Sequence, residues 1–295
     1  MKTMNLGTFF RHKPVRPAAG KDGGALVLIG GNEDKKNDLA VLDYLIAINQ
    51  ARDVAVIPTA SSRPRELADK YRRAFNRLGA NKVRILDIRC PQEADRQEHH
   101  DAIRAAQLVF FTGGDQVKLV NTLRKTRLLE RIRKAFRRGA TVAGTSAGAA
   151  AAGDMMLYAG DRKGSYKGAV EMSTGFGFIH GLVVDTHFHE RHRLDRLIQV
   201  LLRLQAATGI GLGEDTAVVI SAGTRLQVIG SRMVSLVDAR HVRYSNISAI
   251  EPGQRIVYDG IRVTRLQEGF GFDLLQQRIF TVRDSDSCHK NRKIS

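Results

Sequence analysis

The sequence predicts an α/β protein built on a doubly wound, mostly parallel sheet, with a β-rich part added towards its C-terminus. Three observations point there. Short β-branched apolar runs, hydrophobic on both faces, recur between Ala25 and Ala143, as strands buried in a parallel sheet require. Stretches with apolar residues at the helical period separate them, and a βαβα order winds into such a sheet. After about residue 213 the texture changes to short strands broken by Gly, Asp and Asn, which reads as antiparallel pairing.

In chain order, Ala25–Ile29 reads as the first strand and ends at Gly30-Gly31. Lys36–Gln50 follows as a helix carrying Leu39, Leu42, Leu45 and Ile46. Val54–Ile57 is the second strand, Arg65–Leu78 the next helix, and Val83–Ile88 the third strand. Leu108–Phe111 runs into Thr112-Gly113-Gly114-Asp115-Gln116. Gln116–Arg138 reads as one long helix, with Leu119, Leu123, Leu128, Ile132 and Phe136 on a broad face and Gly139 as its stop. Thr141–Ala143 is a strand ending in Gly144. Leu182–Val184 is another, followed by a helix through Leu194, Leu197, Ile198, Leu201 and Leu202. Ala217–Ile220, Leu226–Ile229, Met233–Val237, Arg255–Tyr258 and Ile261–Leu266 form the β-rich part. Residues 1–22 read as a basic arm, 23–283 as the main domain and 284–295 as a polar tail.

The chain has 295 residues, 43% of them hydrophobic, so it can bury a large core without disulfide or metal staples. It carries 47 Lys and Arg against 30 Asp and Glu, a net charge of +17. Such a field attracts polyanions and acidic substrates. Trp is absent and aromatic residues are 6%, which argues against a platform for stacked bases. No helix-turn-helix, zinc or RNP pattern is present either, so nucleic acid is expected to bind at most non-specifically. The two cysteines, Cys90 and Cys288, form no framework and fit a reducing compartment. Met1–Lys13 lacks the apolar core and cleavage site of a secretory signal. No run is long and apolar enough for a membrane span. A cytoplasmic homodimer without membrane contact is expected.

The strongest chemical signal is Gly144-Thr145-Ser146-Ala147-Gly148 after a strand. In a G-x-S-x-G turn the flanking glycines allow a bend that lifts the Ser hydroxyl above the sheet and aims the next N–H at a reacting carbonyl. Ser146 is the candidate nucleophile. Gly113-Gly114, at another strand end, frees backbone N–H groups to face an oxyanion or carboxylate. Gly114 and Ala147 are the candidate oxyanion donors.

A further signal is Asp185-Thr186-His187-Phe188-His189-Glu190-Arg191-His192-Arg193-Leu194-Asp195-Arg196. His187 falls at a strand end and is the candidate base. Arg193 and Arg196, three apart, share a helix face, and Arg191 lies just before them. Guanidiniums beside a base suggest a site for carboxylates, which they bind in forked pairs. The histidines at 187, 189 and 192 do not have the H-E-x-x-H spacing of a zinc helix, so no metal and no cofactor is implied. A triad also needs an acid. Between Ser146 and His187 the acids are Asp154, Asp161, Glu171 and Asp185, and spacing alone leaves the choice open.

Taken together and in order, Ile29–Lys35, Thr112–Gln116, Gly144–Ala149, Asp185–Phe188 with its arginines, and Val242–Ile247 resemble the cyanophycinases. That peptidase family also holds the bacterial α-aspartyl dipeptidases. The resemblance runs from about Gly24 to about Phe272. It implies a serine exopeptidase on a sheet of the class I glutamine amidotransferase or flavodoxin-like kind. It also implies a substrate, cyanophycin, in which poly-aspartate bears an arginine on each β-carboxyl, and a β-aspartyl-arginine product. On matching positions, Ser146 and His187 are the nucleophile and base. The family's acid precedes the histidine in a segment where no position matches directly; Asp161 is favoured for it, with Glu171 second. Gln116, Asp185, Arg191, Arg193 and Arg196 match substrate-binding residues. Two departures stand out: Thr186 where many relatives have Gln, and Ala169 in Lys167-Gly168-Ala169-Val170 where Glu is common. Two other readings remain in play, an aspartyl dipeptidase-like hydrolase of small peptides and a non-catalytic basic homologue that binds polyanions.

Overall fold

The computed structural model describes residues 23–160, 164–205, 208–221 and 224–282, together with the backbone of Arg16–Pro17. The expected C-terminal tail and nearly all of the N-terminal arm lie outside them. Arg16–Pro17 pairs antiparallel with Ile179–His180.

The strands form two large sheets. In the nine-stranded sheet, five neighbours run parallel in the order Leu26–Ile29, Thr141–Thr145, Leu108–Phe111, Asp53–Ile57 and Lys82–Ile85. Alternate residues of these strands enter two different cores. Leu26, Leu28, Val109 and Phe111 face one side, while Val27, Ile29, Leu108 and Phe110 face the other. Burial on both faces is why the runs are continuously apolar rather than alternating. Helices Ala40–Ala47 and Pro64–Arg77 cover one face with Leu42, Leu45, Tyr71 and Phe75.

The six-stranded sheet has the order Arg262–Leu266, Val234–Asp238, Thr208–Leu212, Leu182–Asp185, Met155–Ala159, Glu171–Thr174. Met156, Val184 and Ile210 share a core with the first sheet, and Leu157, Val183 and Val237 pack with the helix Leu194–Leu204. The strands after residue 213 form the expected β-rich C-terminal part by extending both sheets. Thr216–Ser221 pairs antiparallel with Leu26–Ile29 and extends the first sheet through Arg225–Gly230, Phe270–Asp273 and Arg278–Thr281. Val234–Asp238 and Arg262–Leu266 extend the second.

Two expectations change. The long helix is two helices, Gln116–Leu123 and Arg127–Arg137, because Thr126 stops the first and caps the second, its Oγ1 accepting from the Leu129 N–H. Arg255–Tyr258 is no continuous strand: Arg255 makes an isolated antiparallel bridge to Tyr166, and Tyr258–Asp259 pairs with Tyr244–Ser245. No helix among the described residues is long and apolar enough to cross a membrane.

Candidate active site

The site forms where the carboxyl ends of strands from both sheets meet, the usual position for a ligand in an open α/β sheet. Thr141–Thr145 delivers Ser146 from the first sheet, and Leu182–Asp185 delivers His187 from the second. Both hang on the end of the first strand: the Ser146 N–H donates to the Ile29 carbonyl within the first sheet, and the His187 N–H donates to the Gly30 carbonyl, which ties the second sheet to the first.

Ser146 sits at φ 50°, ψ −107°, outside the regions an L-residue prefers. A bend this sharp folds the following turn Ala147–Ala150 back onto the strand. A Cβ on Gly144 would lie 2.4 Å from the Gly148 carbonyl carbon, so only glycine fits there. The bend holds Ser146 Oγ 2.9 Å from His187 Nε2.

On the far side of the ring, His187 Nδ1 lies 2.7 Å from Glu214 Oε1. Among the described residues, none of the expected carboxylates holds this position. Asp161 lies outside the described residues. Glu171 accepts instead from the Tyr158 hydroxyl at 2.6 Å. Asp185 is 1% exposed and paired with Arg196. Glu214 stands in the tight loop between strands Thr208–Leu212 and Thr216–Ser221. Its other oxygen, Oε2, accepts from the Asn32 amide at 3.0 Å. Burial alone would raise the Glu214 pKa. Hydrogen bonds from His187 and Asn32, with the fields of His187 and Arg232, outweigh it and hold the carboxyl below its ordinary range.

The loop after the first strand therefore braces the whole constellation. Its Gly31 has φ +105° and lies under the His187 ring, where an added Cβ would come within 2.4 Å of Cε1. Next to it, Glu33 is buried and accepts from Thr145 Oγ1 at 2.6 Å and from the Tyr71 hydroxyl. Thr145 immediately precedes Ser146, so Glu33 anchors the elbow from behind. Burial, then the Glu33 charge and hydrogen bond, push the Tyr71 pKa well up. Asn32, Glu33 and Glu214 were not among the residues given a role from sequence.

A cavity of about 320 Å³ opens over Ser146 and His187, lined also by Gly114, Gln116, Arg191 and Arg193. Gln116 is fixed by its amide nitrogen, 3.3 Å from the Leu157 carbonyl. Two expected substrate contacts, Asp185 and Arg196, are not in its lining. Arg196, 2% exposed, grips Asp185 through Nε at 2.7 Å and through Nη2. Arg193, at the cavity wall, also donates to the Thr186 carbonyl at 2.7 Å. Asp185–Arg196 is thus an internal pair that shapes the wall from beneath. Removing one member of such a pair costs about 3–5 kcal/mol. Asp185→Ala should lower the melting temperature by about 6–20 °C, measured by circular dichroism. An unchanged melting temperature with a raised KM would restore the substrate-contact reading.

Among the described residues, no group of three or more His, Cys, Asp or Glu side chains could hold a metal ion.

The sequence of residues 26–228 matches the model of Peptidase family S51. The chain belongs to that family. Its relatives include a cyanophycinase of Trichormus variabilis, 36% identical over 260 residues, covering 86% of this chain and 87% of that protein. A cyanophycinase of Geminocystis herdmanii is 33% identical over 249 residues, covering 83% and 92%. The fold is shared with the crystal structure of a peptidase from an acI-B1 Actinobacterium, at a TM-score of 0.65 and 23% identity, covering 89% of this chain and 98% of that one.

Proposed function

We propose that this S51 peptidase is a serine exopeptidase that hydrolyses cyanophycin and releases β-aspartyl-arginine dipeptides. The observation that carries the reading is the hydrogen-bonded line Ser146–His187–Glu214 opening into a small cavity edged by arginines. The names of the relatives support the substrate.

In this reading Ser146 Oγ attacks the scissile aspartyl carbonyl while His187 Nε2 takes its proton. Glu214 accepts from Nδ1–H, which fixes the tautomer and steadies the imidazolium. The oxyanion forms against the N–H groups of Gly114 and Ala147. Ala147 opens a helical turn, so its N–H has no intrahelical acceptor. His187 then passes the proton to the leaving amine as the C–N bond breaks. Water releases the acyl group by the same steps. Arg191 and Arg193 hold substrate carboxylates, and Gln116, its amide nitrogen on the Leu157 carbonyl, offers its oxygen to a substrate N–H. The small cavity admits a chain end rather than a chain middle.

The deciding assay incubates the protein with insoluble cyanophycin, with short aspartyl peptides and with a serine-reactive phosphonate. Soluble β-Asp-Arg and a label on Ser146 are expected. Cleavage of small aspartyl peptides alone would favour the dipeptidase-like alternative. No product and no label would favour the non-catalytic one.

Arg193→Lys separates a substrate pocket from a charged surface. Lys cannot reproduce the fork, so hydrolysis should fall by about 2–5 kcal/mol in transition-state binding. Any weak, salt-sensitive DNA binding should stay as it was. A binding protein would show a shallower salt slope for DNA instead.

We also propose a cytoplasmic homodimer. The sparse cysteines support the compartment. Phe270, Leu275 and Ile279, each exposed on the hairpin of Phe270–Asp273 and Arg278–Thr281 or its turn, support self-association. Light scattering should give twice the monomer mass, and a monomer mass would refute it.

A further inference from the structure

A second cavity, about 660 Å³ and so larger than the first, adjoins the catalytic one, and Tyr158 lines both. Strand register supports the contiguity. Glu171, on its wall, pairs across the sheet with Ala159, which lines the catalytic cavity. Two segments singled out in the sequence but unused by the triad contribute to this wall. One supplies Lys167 and Gly168, the other Ser245 and Ile247.

Its chemistry is mixed in a particular way. Val170, Met172, Leu202 and Ile247 give it an apolar surface. Two cations stand on it, each steadied by a backbone carbonyl: Lys167 on Ile250 and Arg203 on Val170. One carboxylate stands among them. Glu171 is exposed, its Oε2 takes the Tyr158 hydroxyl, and its Oε1 forms no hydrogen bond among the described residues. A simple anion site would not place a carboxylate beside its cations. A site for a flexible group carrying both charges would, with an apolar wall for the methylenes between them.

An arginine joined through its α-amine to an aspartyl β-carboxyl is such a group. It keeps a free carboxylate and a guanidinium at opposite ends of an aliphatic stem. We propose that the second cavity binds the arginyl group of the substrate unit next to the one being cleaved, guanidinium on Glu171 and carboxylate towards Lys167 and Arg203. The proposal rests on the cyanophycin reading given above. It makes the protein favour substrates of two or more units.

The test compares two substrates. One is a single β-Asp-Arg unit with a fluorogenic amide on its aspartyl α-carboxyl, and the other is the two-unit peptide (β-Asp-Arg)₂. Glu171→Gln keeps an acceptor for Tyr158 but removes the charge, and Ser248→Trp fills the cavity from an exposed position on its wall. Each should lower kcat/KM for the two-unit substrate about 10–100-fold, through KM, and leave the one-unit substrate unchanged. Nα-acetylarginine should inhibit cleavage of the two-unit substrate competitively, and Nα-acetylcitrulline should not. Equal effects on both substrates, or none on either, would overturn the inference while leaving the triad reading intact. If the unaltered protein cleaves neither substrate, nor the polymer, the functional reading itself fails and takes this inference with it.

Discussion

Ser146→Ala should abolish hydrolysis of the polymer, by about 10⁴–10⁶-fold in kcat, while the protein stays folded. The nucleophile is one atom, Oγ, 2.9 Å from the ring nitrogen that would take its proton. Alanine removes that atom and little else, because Ala147 and Gly148 keep the turn. A companion variant tests whether the backbone at this point is strained. Ser146 and alanine would both be held at φ 50°, where a side chain is disfavoured, whereas glycine is at ease there. Ser146→Gly should therefore be as inactive as Ser146→Ala but more stable than it, by about 1–3 kcal/mol in denaturant melts. Near-native turnover in the alanine variant would remove Ser146 from the mechanism. Equal stability of the two variants would remove the strain.

Much of this site is legible in the sequence because the constraints are local. A bend that brings the Gly144 backbone against Gly148 leaves no room for side chains, so the glycines around Ser146 declare it. His187 is visible as a polar residue at the end of an apolar strand. Asp185, two residues earlier, looks equally available, yet it still belongs to the strand and points into the interior, while the chain turns at His187, φ 48°. Arg196 follows it inward. The sequence gives both as candidate substrate contacts, since an arginine that pairs with a buried carboxylate and one that pairs with a ligand look alike.

The break at Thr126 is hidden because apolar residues recur on both sides of it, so a broadly drawn apolar face reads through the cap. The signal against one helix is the phase: five residues from Leu123 to Leu128 turn a continuous helix by about 140°. Glu214 is hidden by topology. In a Ser-acid-His order the orienting carboxylate precedes the base, and a search confined to residues 146–187 cannot find it. Here Thr208–Leu212 pairs in parallel with Leu182–Asp185, which sets the loop after the one beside the loop after the other. The signal available was a carboxylate directly after an apolar strand, in Leu212-Gly213-Glu214. Asn32 and Glu33 had no local signal beyond their place after the first strand, because the site residues they hold, Glu214 and Thr145, are more than a hundred residues away.

Glu214→Gln should lower kcat about 10³–10⁴-fold with little change in KM. Glutamine fills the same space. It cannot supply a charge to steady the imidazolium, and its amide end can donate to Nδ1 and leave Nε2 carrying the proton, the wrong face towards Ser146. Asp161→Asn and Asp185→Asn discriminate. If Glu214 is the orienting acid, Asp161→Asn should keep near-native turnover, and Asp185→Asn should act through stability. A loss in Asp161→Asn comparable to that in Glu214→Gln would return the role to the earlier carboxylate. The same variant carries a signature in stability. Glu214 has a folded pKa below its unfolded value, so its contribution is complete above the unfolded carboxyl range, about pH 4.3, and is lost as pH falls through the folded value. The melting-temperature gap between native protein and Glu214→Gln should therefore be constant from neutral pH down to about pH 5 and narrow below it. A gap that widens on acidification would mean that the carboxylate is not held by His187 and Asn32 as charged acceptor. With that the argument for Glu214 as the orienting acid would fail.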